Sequence, residues 1–172
     1  MIEKSAATHE ILRHTNHDWM NHLQVIQMYL DLERVDEAKQ VIRQLADHCK
    51  TLSTMARWNF IYTAEWLQTF PWHFQGIELS LLSQIEQRVP MKVDQQLAND
   101  FEQLMTQVYE HLDPFTDQHL YISLQPMNEA LQCTVLLKGK WTIKLEKIQC
   151  ESSSIQWLER TAETLHVVIT IR

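Results

Sequence analysis

From Ala6 to Glu33 the chain carries neither glycine nor proline, and Leu12, Asn16, Trp19, Leu23, Ile26 and Leu30 recur along it at alternating spacings of four and three residues. That period puts all of them on one stripe of a single long helix. A short polar break at Glu33-Arg34-Val35 follows. Asp36 is then placed to cap a second helix, on which Ala38, Ile42, Leu45, Cys49, Leu52 and Ala56 repeat the period. The two stripes face each other across a hairpin. Two helices of about 20 to 27 residues share too little surface to dry both seams, so a seam this long wants further helices. A second copy of the chain supplies them most simply, which predicts a dimeric four-helix bundle. Packing of the hairpin on the rest of its own chain is the alternative.

The pattern changes at Trp58. Residues 63–75 read as a helix despite Pro71, and residues 95–112 as a stronger one, stopped by Asp113-Pro114. Five alternating runs read as strands: Ile77-Leu79-Leu81, Leu120-Ile122-Leu124, Leu131-Cys133-Val135, Trp141-Ile143-Leu145 and Leu165-Val167-Ile169-Ile171. A short helix over Ser153–Glu163 is expected before the last strand. The fold class is therefore α+β: a helical hairpin over residues 1–57, then an α/β sandwich over residues 58–172 with helices on one face of a mixed sheet.

Composition removes several classes of function. Fifteen Lys and Arg against 22 Asp and Glu leave a net charge of −7, which repels nucleic-acid backbones and anionic lipid heads. The only glycines are Gly76 and Gly139. Loops that wrap a nucleotide phosphate need several glycines close together, so a Walker loop, a dinucleotide fingerprint and a glycine-boxed kinase lid are excluded. Cys49, Cys133 and Cys150 are too widely spaced for a structural zinc site or a redox pair, which fits a reducing, cytoplasmic setting. The amino terminus has no apolar signal region, and no segment reaches the roughly 18 apolar residues of a membrane span.

On the first helix, His17 lies about 140° from the seam at 100° per residue, together with Asn21, Gln24 and Met28. It therefore points to water or to a partner. A neutral imidazole is a nucleophile near neutral pH, and a rigid exposed helix lets another protein bring an electrophile to it. Asp18, next to it, can orient the ring or favour its cation, although adjacent helical residues do not face one another. Nine histidines are scattered over the chain, and most exposed helical histidines are merely solvated. A metal reading through His14, Asp18 and His22 is weak on geometry, because three residues spread over about 12 Å of straight helix do not converge on one ion without another ligand-bearing element. Ser152-Ser153-Ser154 reads as a loop and cap, since the chain has no Gly-x-Ser-x-Gly elbow. The six tryptophans read as core and interface mass, with no basic groove to make them a base-stacking platform. Met20 and Met28 flank the polar face as a forgiving apolar rim.

The stretch LRHTNHDWMNHLQVIQMYLDLERVDEAKQVI resembles the phosphoacceptor hairpin of citrate- and dicarboxylate-sensing histidine kinases. Its core, His17-Asp18-Trp19-Met20-Asn21-His22-Leu23-Gln24, is closer still to the sporulation initiation phosphotransferase B family of endospore-forming bacteria. More weakly, the order of elements after the hairpin resembles that family's degenerate ATPase-like domain. The resemblance implies a homodimer that takes a phosphoryl group from the aspartate of one response-regulator receiver and passes it to the aspartate of a second. His17 matches the phosphorylated histidine and Asp18 its acidic neighbour. Asn21 matches the amide or hydroxyl position that lets some related hairpins place a hydrolytic water, and His22 replaces a frequent Lys. Arg13, His14, Gln24 and Met28 are expected to support the site or dock the partner. No cofactor or metal of its own is expected, Mg²⁺ being held by the receiver, and the missing glycine boxes argue against nucleotide binding and self-phosphorylation by ATP. A dimeric module that docks receivers or kinases without chemistry is the alternative.

Overall fold

The structure is a computed structural model that describes residues 2–127, 130–142 and 154–172, with the backbone alone described for residues 2–12 and 14. The described residues form α1 (Ile2–Asp31), α2 (Val35–Arg57), α3 (Tyr62–His73), β1 (Ile77–Ser83), α4 (Met91–Tyr109), β2 (Gln118–Met127), β3 (Ala130–Lys138), β4 (Ile155–Arg160) and β5 (Thr164–Ile171). They divide into two compact units, residues 1–50 and residues 51–172.

In the first unit the α1–α2 turn closes through Glu33, whose φ of 59° is left-handed, with Arg34 N–H donating to Tyr29 O at 2.8 Å. Arg34 also donates through Nε to Glu37 at 2.8 Å and stacks 5.1 Å from the Tyr29 ring centroid. The guanidinium holds the Glu37 carboxyl below its usual range, chiefly through that hydrogen bond. Because this cluster sets the turn, α2 starts at Val35, and Asp36 sits inside its first turn, paired with Lys39 at 3.7 Å, rather than capping it. The seam is only partly covered within one chain. Ala38 is buried, but Trp19, Leu23 and Ile42 remain 44%, 55% and 49% exposed.

The second unit is built on a five-stranded mixed sheet of order β1-β2-β3-β5-β4, in which β1 and β2 are parallel and the other pairs antiparallel. Alternation along β2, β3 and β5 buries Leu120, Ile122, Leu124, Cys133, Val135, Val167 and Ile169 on one face. Phe70 of α3 and Leu97, Phe101 and Leu104 of α4 complete this core. Fully burying such side chains stabilises the fold by about 1.5–3 kcal/mol each before entropy is counted. Met55, in the last turns of α2, is buried beside Phe60 in the same cluster.

The carbonyl of Ile61 opens α3, yet no side chain of its own segment caps that end. The cap comes from α4. The buried Asp94 carboxylate accepts N–H bonds from Ile61 at 2.7 Å, Tyr62 at 2.8 Å and Thr63 at 3.0 Å. A negative charge at a helix N-terminus is doubly favoured, by its hydrogen bonds and by the helix dipole.

Two further expectations need revision, and a third falls partly outside the described residues. Residues 155–160 are strand, not helix: Ile155 and Trp157 face Ile169 and Val167 across the β4–β5 pairing, and Thr161 Oγ1 accepts Thr164 N–H at 3.0 Å to close the hairpin. The free edge of β5 thus wins over local helix propensity. For the run Trp141-Ile143-Leu145, Trp141 makes one isolated antiparallel bridge to Leu112, and Ile143 and Leu145 lie outside the described residues. The stronger expected helix begins at Met91 instead of Gln95, since Pro90 at the N-cap starts it a turn earlier.

Candidate functional site

His17 stands in the middle of α1, with its side chain 71% exposed. Two neighbours approach the same ring nitrogen. Asn21, one turn further on, donates from Nδ2 to His17 Nδ1 at 3.2 Å, and Asp18 Oδ1 lies 3.6 Å from that atom. Asn21 arrives because residues four apart are neighbours on a helix surface. Asp18 reaches Nδ1 even though consecutive residues project about 100° apart, because its carboxylate bends back towards the ring. Both contacts fall on Nδ1, so Nε2 is the nitrogen left to meet a partner.

The other expected residues are placed unevenly. Arg13, Gln24 and Met28 are exposed, as are Met20 and His22. The side chain of His14 lies outside the described residues. No cluster of three metal-binding side chains occurs among the described residues. Trp19, His22, Leu23, Ile26, Ile42 and Cys49 line an open apolar groove along the hairpin seam. One feature of the hairpin escaped the sequence reading: desolvation by its neighbours lowers the pKa of His48 on α2, although the residue is exposed, and the charge of His22 on α1 lowers it further. The pairing of these two histidines belongs to the hairpin's tertiary geometry and leaves no signal in residue spacing.

With Nδ1 accepting from Asn21, the neutral ring carries its proton on Nε2; Nε2 gains the lone pair of a nucleophile when the proton sits on Nδ1, towards the Asp18 carboxylate, and the exposed ring can then meet an electrophile delivered from outside. The hairpin that carries it, residues 1–58, matches the family model described as the sensor-kinase SpoOB-type alpha-helical domain. The chain is also 29% identical over 129 residues to sporulation initiation phosphotransferase B of Bacillus subtilis (strain 168), covering 72% of this chain and 66% of that protein. The match thus spans just under two thirds of the relative's length.

Among solved structures, the blue-light activated histidine kinase of Erythrobacter litoralis EL346 aligns with a TM-score of 0.50 at 14% identity, over 64% of this chain and 40% of that one. Histidine kinase AdeS of Acinetobacter baumannii aligns over 90% of this chain and 96% of that one, with a TM-score of 0.45 at 12% identity. At 14% identity the first of these likenesses is one of fold alone. Among the described residues, no helix is long and apolar enough to cross a membrane.

Proposed function

We propose that this chain is a phosphorelay phosphotransferase of two-component signalling, acting in sporulation initiation as the name of its Bacillus relative suggests. In this reading His17 takes a phosphoryl group from the aspartyl phosphate of one response-regulator receiver and passes it to the aspartate of a second. The observation that carries the reading is the exposed, Nδ1-anchored imidazole of His17 inside the stretch that matches the family's helical domain. Nε2 attacks phosphorus in line with the breaking acyl phosphate bond, and the electron pair of that bond stays on the receiver's carboxylate. An acyl phosphate is already an energetic donor, so the chain's task is to hold the nucleophile in position. Mg²⁺ belongs to the receiver's acidic pocket in this scheme, and the chain contributes no cofactor of its own.

The half-exposed seam supports a homodimer, because Trp19, Leu23 and Ile42 would pair with their copies in a four-helix bundle. Such a bundle presents two His17 side chains on its outside, where cytoplasmic receivers dock against Gln24, Met28 and Arg13. Incubation with a receiver phosphorylated on its aspartate tests the reading. Acid-labile, alkali-stable label should appear on the wild-type chain and be lost in His17→Ala; a docking module without chemistry would take up none.

A further inference from the structure

Asn21 is ambidentate where Asp18 is not. A carboxylate only accepts hydrogen bonds when ionised, whereas an amide donates from one end and accepts at the other, and a half-turn exchanges the two without changing its footprint. Both groups address His17 Nδ1, Asn21 at 3.2 Å and Asp18 at 3.6 Å. The protonation of Nδ1 decides what the other ring nitrogen does. With a proton on Nδ1, the lone pair of a free ring lies on Nε2, which makes Nε2 the nucleophile. With a phosphoryl group on Nε2, a proton on Nδ1 makes the ring cationic and a good leaving group, for water as much as for a carboxylate.

We propose that Asn21 is a positioning residue that preserves the phosphorylated ring: it accepts from Nδ1–H while Nε2 attacks, then turns and donates to Nδ1 once Nε2 carries phosphorus. This inference rests on the phosphorelay reading of His17. The steps balance. The Nε2 pair forms the N–P bond, and the P–O bond to the donor carboxylate breaks with its pair left on oxygen. The cationic ring then releases its Nδ1 proton to Asp18 and on to water. Nδ1 now holds a lone pair, the Nδ2–H of Asn21 satisfies it, and the neutral ring holds its phosphoryl group. For onward transfer a proton returns to Nδ1, the second carboxylate attacks phosphorus, and the N–P pair returns to Nε2. The structure shows the free ring with Nδ2 on Nδ1, so the donor contact is the one observed, and the accepting contact is reached by the half-turn of the amide. A hydrolytic role for Asn21 makes the opposite prediction, because there the amide would serve a water.

The test uses the full chain, phosphorylated either by a receiver or by the small-molecule donor phosphoramidate. Label on the other histidines is subtracted with His17→Ala. After the donor is removed, hydrolysis of phospho-His17 is followed in wild type, Asn21→Asp and Asn21→Ala, together with the ¹⁵N shift of Nδ1. Asn21→Asp should hydrolyse about fivefold faster, the equivalent of one exposed hydrogen bond, with Nδ1 shifted towards its protonated position. Asn21→Ala should fall between it and wild type. Hydrolysis that is unchanged or slower in both variants, with an unmoved Nδ1 shift, overturns the inference. Failure of the receiver to label wild-type His17 overturns the relay reading instead, and the phosphoramidate arm still decides the role of Asn21.

Discussion

Asp94 and Thr63 hold each other twice: the Thr63 N–H donates to Asp94 Oδ1 at 3.0 Å, and the Thr63 hydroxyl donates to the Asp94 backbone carbonyl at 3.3 Å. Both residues are fully buried. The pair locks the start of α3 to the first turn of α4 and so sets how the two helices lie on the sheet.

Asp94→Ala removes one acceptor from three backbone donors and should cost about 3 kcal/mol of stability. Asp94→Asn should recover only part of this, because its amide nitrogen would face an N–H donor. Urea unfolding of both variants measures the loss. A change below about 0.5 kcal/mol in Asp94→Ala would show that water replaces the carboxylate.

At the other end of the sheet, Gln118 donates from Nε2 to the carbonyls of Asp113 and Thr116 at 3.1 and 3.0 Å, while its buried Oε1 has no partner among the described residues. A Cβ on Gly139 would overlap that Oε1. Gly139→Ala should therefore displace the Gln118 side chain and destabilise the protein by about 1–3 kcal/mol. Adding Gln118→Ala should cost less than the sum of the two single changes, since the overlap is then gone. Full additivity in thermal or urea unfolding would contradict this.

Leu23 is more than half exposed in the single chain, so Leu23→Asp should alter the stability of an isolated chain by less than about 1 kcal/mol. In a bundle of two hairpins the same change buries an unpaired carboxylate and should cost more than about 3 kcal/mol of assembly. Sedimentation should find the wild type as a dimer and the variant as a monomer. A wild-type monomer removes the bundle.

His48 is held below its ordinary pKa, first by desolvation and then by the charge of His22. The unfolded chain therefore binds more protons than the folded one as pH falls past about 6.5, and folding stability declines in that direction. The contribution is fully present above the unfolded value. His48→Gln should flatten the stability profile on the acidic side of neutrality and leave it unchanged above pH 7.5 or so. An equal acid slope in the variant would assign the effect to other groups.

The sheet was legible in the sequence because burial there follows spacing, whereas the helical seam was legible as spacing alone, since Trp19, Leu23 and Ile42 on it stay exposed in the single chain. The seam of α1 and α2 and the alternation of β1, β2, β3 and β5 all emerge from counting apolar residues. The exposure of His17 follows from its angular offset on α1. β4 escaped because a bulge between Trp157 and Glu159 breaks its alternation and leaves Leu158 exposed, which blurs a period of two into something helical. The cap of α3 escaped for a different reason. Asp94 lies 31 to 33 residues from the N–H groups it satisfies, and no local pattern announces a cap delivered by another helix. Asn21 was visible as a neighbour of His17, but its shared claim with Asp18 on Nδ1 is a matter of side-chain geometry.

The central claim is that the His17 imidazole carries the phosphoryl group, and transfer from a phosphorylated receiver tests it most directly. On mixing, acid-labile label should pass to the wild-type chain within the lifetime of the aspartyl phosphate and leave it when a second, unphosphorylated receiver is added. His17→Ala should neither accept label nor support the second transfer. Label on His17→Ala equal to wild type, or equally fast phosphorylation of the second receiver without the chain, would contradict the account.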